Sequence, residues 1–117
     1  MTDDMPEHER PLSEQFRVVA KQHVAARKQA RYMERTRSAM RDRMVARVMS
    51  ESSVKTTKAE ALFRVQISDE WLQYNRDLAD AEEKADILFA QKEYIALVQW
   101  ERNNENANAR HERRNIT

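Results

Sequence analysis

The chain contains no glycine, no cysteine, only two prolines and no long apolar run, stretches such as Ile87 to Ala90 ending after four residues. Each absence removes a class of protein. Glycine is the residue that enters left-handed backbone space and lets a main chain press against a phosphate. Its lack argues against hairpin-rich sheets, P-loops and dinucleotide folds. Without cysteine there are no disulfides, thiolate nucleophiles or Cys-based zinc and iron–sulfur sites. Short apolar runs leave nothing to span a bilayer. MTDDMPEHER is acidic and polar, unlike a signal or transit peptide, and a cytoplasmic location is expected.

What is present is charge and helix formers. Charged residues make up 35% of the 117, mean hydropathy is −0.96 and the net charge is only +1, as for a chain carrying narrow apolar stripes. The charge is unevenly placed. Residues 14–50 hold ten basic and three acidic side chains, whereas 51–99 hold six basic and ten acidic.

The spacing predicts an all-α chain: an elongated antiparallel helical hairpin or coiled coil, completed by homodimerisation. Residues 1–12 read as a flexible tail punctuated by Pro6 and Pro11. Residues 13–112 form a single helical domain, and 113–117 a second tail. Ser13 is the expected N-cap of a first helix over 13–49, with Glu14 favoured by the helix dipole. Its seam runs Phe16, Val19, His23, Ala26, Ala30, Met33, Arg37, Met40, Met44 and Val48, mostly three or four apart. Arg37, the charged interruption, can snorkel outward. The Ser- and Thr-rich stretch 50–57 is the turn, and Thr57 with Glu60 has capping-box spacing, although a helix start at Ser52 or Ser53 is equally compatible with the sequence.

A second helix is expected over 58–109, with the seam Ile67, Trp71, Tyr74, Leu78, Ala81, Ala85, Leu88, Lys92 and Ile95. Leu62, Val65, Leu72, Phe89, Tyr94, Leu97, Val98 and Trp100 widen this stripe at both ends, enough for more than one partner helix. Ser68 and Asp69 resemble a cap, so an unbroken helix competes with a break near 67–69 that would make three helices. Phe16, Met33, Met40, Met44, Ile67, Trp71, Tyr74, Leu78, Leu88, Ile95 and Trp100 are the expected core and interface. A lone hairpin leaves Trp71, Leu72, Phe89 and Trp100 partly wet, hence the expected dimer.

Two roles compete for the basic helix. Arg27, Arg31 and Arg35 stand four apart, and with Lys21, Lys28 and Arg41 they form a ridge suited to nucleic-acid phosphates. Alternatively, residues 27–47 pair across the hairpin with Glu60, Asp69, Glu70, Asp77, Asp80, Glu82, Glu83 and Asp86. Among the aromatics, Tyr32 is the one uncommitted to a seam and able to stack on a base. Catalysis finds no support. His8 and His111 fall in tails, His23 reads as a hydrogen-bonded packed residue, and no helix-borne pair of metal ligands occurs. No catalytic residues, metal, cofactor or membrane partner are expected.

The stretch EWLQYNRDLADAEEKADILFAQKEYIALVQWERNNENANAR resembles small all-helical accessory proteins of tailed phages and prophages, some encoded near recombination functions. The resemblance covers roughly residues 55–112. It implies a non-enzymatic protein of phage DNA metabolism, working with DNA, a recombinase or a nuclease. A second implied role is a helical interaction module, either an assembly scaffold or an inhibitor of a host-defence protein, that binds no nucleic acid. The basic helix lies outside the stretch that carries the resemblance.

Overall fold

The computed structural model describes residues 11–116. Residues 1–10 of the expected N-terminal tail, with His8, lie outside them. Three helices account for nearly all the rest: α1 (Leu12–Glu51), α2 (Lys58–Gln66) and α3 (Asp69–Ile116). The chain separates into two compact units, one made of the segments up to Ala25 and from Ala85, the other of residues 26–84.

α1 begins one residue before the expected cap. The Pro11 carbonyl accepts from the backbone N–H groups of Glu14 and Gln15, both at 3.0 Å, so Ser13 lies inside the first turn. Proline has no N–H to waste at a helix start, which suits it to this place. Glu14 remains in the first turn, toward the positive end of the helix dipole.

In the 26–84 unit the turn is built from hydroxyls. Ser52 Oγ donates to the Val54 carbonyl (2.7 Å), and the buried Thr56 Oγ1 reaches Ser52 Oγ (2.7 Å) and the same carbonyl (3.1 Å). Thr57 then caps α2, its Oγ1 accepting from Glu60 N–H at 3.2 Å, as the spacing predicts. α2 lasts nine residues. The break near 67–69 is therefore realised and the unbroken helix is not. Ile67 ends α2, with its N–H on the Phe63 carbonyl (3.2 Å). Ser68 Oγ donates to the Val65 carbonyl (2.7 Å) and accepts from Trp71 N–H (3.3 Å), capping α3.

Packing explains why the break wins. Ala61 and Val65, one turn apart on α2, are the least exposed residues of a cluster completed by Met44, Val45 and Trp71. Met40, Val48, Leu62 and Tyr74 pack around it. Burying a valine-sized side chain contributes ~1.5–3 kcal/mol, and with the break in place Ala61 and Val65 share one cluster with Met44 and Val45 of α1 and Trp71 of α3. The break has a cost at Ile67. Expected in the core, it becomes a cap residue and stays 60% exposed. Trp71, expected to be partly wet in a lone chain, is buried within this unit, as is Leu78.

The other unit joins the start of α1 to the later part of α3. Val19, His23 and Ala85 are buried, with Phe16, Leu88, Lys92, Ile95 and Gln99 half-buried beside them. The His23 ring meets the Phe89 ring with centroids 5.5 Å apart and a 51° tilt. His23 is packed as expected, but through an aromatic contact; among the described residues its side chain has no hydrogen bond. α3 continues to Ile116 where the expected helix stops at 109 and a tail follows. Ala107, Ala109, Arg110 and Glu112 are strong helix formers, no proline or glycine interrupts them, and Arg110 Nε donates back to the Asn106 carbonyl at 3.3 Å.

Candidate nucleic-acid interface

The helix face that packs decides which cations remain available. In the 26–84 unit α1 buries Ala26, Ala30, Met44 and Val45 and half-buries Met33, Thr36 and Met40. α1 and α3 run antiparallel here, since Met33 and Thr36 meet Tyr74 whereas Arg47 meets Glu70. The Tyr74 hydroxyl donates to the Met33 carbonyl at 2.7 Å and lies 3.1 Å from Thr36 Oγ1. Thr36 Oγ1 also bonds back to the Tyr32 carbonyl at 2.8 Å. With one proton on each hydroxyl, Tyr74 serves Met33 and Thr36 serves Tyr32 or the phenol oxygen. Among the described residues no fully buried side-chain nitrogen or oxygen lacks a partner.

Two arginines of α1 are engaged along the edge of this contact. The Arg37 guanidinium sits over the Trp71 ring, 5.1 Å from its centroid, and its Nε donates to Asn75 Oδ1 at 2.8 Å. Asn75 is itself oriented by a 2.8 Å bond from Nδ2 to the Trp71 carbonyl, and Trp71 stacks parallel to Tyr74 with centroids 5.9 Å apart. Arg37 thus does more than snorkel: it roofs the buried indole. Arg47 donates to Glu70 across the helices, and that bonded carboxylate raises the guanidinium pKa above its ordinary value. Arg41 is half-buried, 3.9 Å from Asp42 of its own helix.

The outer face of the same helix differs. Arg27, Lys28, Arg31 and Arg35 are exposed. Among the described residues none of their side chains forms an ion pair or a hydrogen bond. Lys28, Arg31 and Arg35 follow a three- and four-residue spacing that keeps them on one side of the helix. Tyr32 stands between them, 63% exposed. Of the pairing expected across the hairpin, Arg47 with Glu70 is the instance formed among the described residues; Asp77 instead accepts from Gln73 of its own helix at 2.8 Å.

The expected phosphate-binding residues therefore divide. Arg27, Lys28, Arg31 and Arg35 share one unit and are unengaged. Lys21 is exposed in the other unit. Arg41 is half-buried beside Asp42 of its own helix. The Arg37–Trp71–Asn75 arrangement escaped the sequence reading, although Arg37 at a seam position was the signal for it. Trp100, expected at the core or interface and partly wet in a lone chain, is 61% exposed. The described residues include no group of three or more His, Asp or Glu that could hold a metal ion, and no helix long and apolar enough to cross a membrane. No protein-family model, curated protein or solved structure matches the chain.

Proposed function

We propose that this chain is a non-enzymatic, phage-type accessory protein of DNA metabolism, self-associating, that holds nucleic-acid backbone on Arg27, Lys28, Arg31 and Arg35. One observation carries this reading. These four cations are solvated and without side-chain partners among the described residues, whereas Arg37 and Arg47 of the same helix are engaged across the helix contact. Cations spaced along one helix face release counterions when they meet phosphates, so affinity falls as salt rises. Tyr32 adds a flat surface on which a base can stack.

The experiment is Arg27→Gln, Arg31→Gln and Arg35→Gln combined, with binding to labelled single- and double-stranded oligonucleotides followed by anisotropy at two salt concentrations. Affinity drops at least tenfold at low salt and the salt slope falls by roughly two to three, while helicity is unchanged. Equal affinity in variant and parent rejects the role of these residues. The rival reading, a protein-interaction module without nucleic acid, draws on Phe63 and Ile67, which stand exposed one turn apart at the end of α2. It predicts no polynucleotide binding by the parent chain.

A further inference from the structure

α3 carries two apolar faces where it needs one. In the unit that contains Ala85 onward, the packed face is Ala85, Leu88, Lys92, Ile95 and Gln99, buried or half-buried at alternating three- and four-residue steps. The opposite side repeats the same spacing with Ile87, Ala90, Tyr94 and Leu97, all exposed: Ile87 50%, Tyr94 67% and Leu97 51%. At 3.6 residues per turn this second stripe lies about half a turn from the first. Trp100 (61% exposed) extends it three residues beyond Leu97. Single exposed apolar residues are ordinary, but a contiguous set at coiled-coil spacing marks a contact surface.

We infer that this stripe is where a second copy of the chain docks, antiparallel, along Ile87 to Leu97 of α3. The inference rests on the proposed self-association and supplies its surface, which is not the seam through Trp71 and Leu78 that the single chain already buries. Two arguments favour a second copy. Taking ~200 Å² per aromatic side chain, Tyr94 and Trp100 alone leave on the order of 250 Å² exposed, about a third of the ~800 Å² each partner contributes to a standard interface, with Ile87 and Leu97 adding to it. The stripe is also complementary to its own reverse. Two-fold pairing of antiparallel helices about Lys92 sets Ile87 against Leu97 of the other copy and the small Ala90 against the large Tyr94. The same residues thereby serve both sides, as an isologous contact requires. Glu93 beside the stripe would face its own copy, so added salt leaves the association intact or strengthens it, the reverse of its effect on phosphate binding.

The chain has no cysteine, which makes the test clean. Sedimentation or light scattering of the full chain gives a dimer mass at both low and high salt. Tyr94→Glu with Leu97→Glu weakens dimerisation at least tenfold without changing helicity. The Ile87→Cys/Leu97→Cys double variant locks a covalent dimer on mild oxidation, and Ile87→Cys alone does not. A monomeric parent overturns self-association and this surface together. A dimer that survives the glutamates overturns the surface alone, and a covalent dimer from Ile87→Cys by itself overturns the antiparallel pairing. None of these outcomes bears on the phosphate-binding face of α1.

Discussion

Replacing Trp71 with alanine tests the interior of the 26–84 unit more severely than any other single change. The indole is 6% exposed and belongs to the cluster with Met44, Val45, Ala61 and Val65. At ~25 cal/mol per Å² over the ~150–250 Å² that an aromatic buries, transfer alone is worth about 4–6 kcal/mol, an upper bound because denatured chains are partly collapsed. Truncations of this kind cost about 3–5 kcal/mol. Trp71→Ala also strips the Arg37 guanidinium of the ring beneath it and Tyr74 of its stacking partner. We expect a loss near 4 kcal/mol against a typical total of about 5–15 kcal/mol for a domain. The midpoint of urea unfolding, followed by circular dichroism at 222 nm, reads it directly. Ile67→Ala, at an exposed cap, is the control and changes stability by less than about 1 kcal/mol. A Trp71→Ala loss below about 1 kcal/mol would refute the placement of the indole in a closed cluster.

Further outcomes follow from individual contacts. Ser68→Ala removes the α3 cap and the bond to the Val65 carbonyl, and costs about 1 kcal/mol in denaturant melts; Ser68→Asp, which can still cap, recovers part of it. Leu78→Ala, truncating a buried leucine, lowers stability by about 2–5 kcal/mol in the same assay. Tyr74→Phe costs about 0.5–1.5 kcal/mol, since its hydroxyl joins Met33 and Thr36 across the helices. The Met33 carbonyl is already paired within α1, which favours the lower end. A loss above 3 kcal/mol would show that the phenol is needed for more than this bond. Substituting Arg27, Arg31 and Arg35 with glutamine leaves the denaturation midpoint unchanged, because in this fold those side chains hold nothing together.

Helix content, the Ser- and Thr-rich turn and the Thr57 cap were legible in the sequence because each depends on neighbours within a few positions: side-chain hydroxyls, three-to-four periodicity, the absence of glycine. The same local logic recognised Ser68 and Asp69 as a cap without deciding that the helix breaks there. That choice belongs to Ala61 and Val65, which share a buried cluster with Met44 and Val45 of α1 as well as Trp71, a benefit that no window around residue 68 contains. Position on a seam likewise marked Trp71 and Leu78, which are buried, and Ile67, which the break leaves exposed. Periodicity reports which side of a helix is apolar, and only a neighbouring element determines whether that side is covered. The basic ridge is the clearest case. Sequence spacing groups Arg27, Arg31, Arg37 and Arg47 as one field of positive charge, and the folded chain sorts them by reach. Arg37 and Arg47 find Trp71, Asn75 and Glu70 across the helix contact, and Arg27, Lys28, Arg31 and Arg35 are left facing water because they lie on the side of α1 away from that contact.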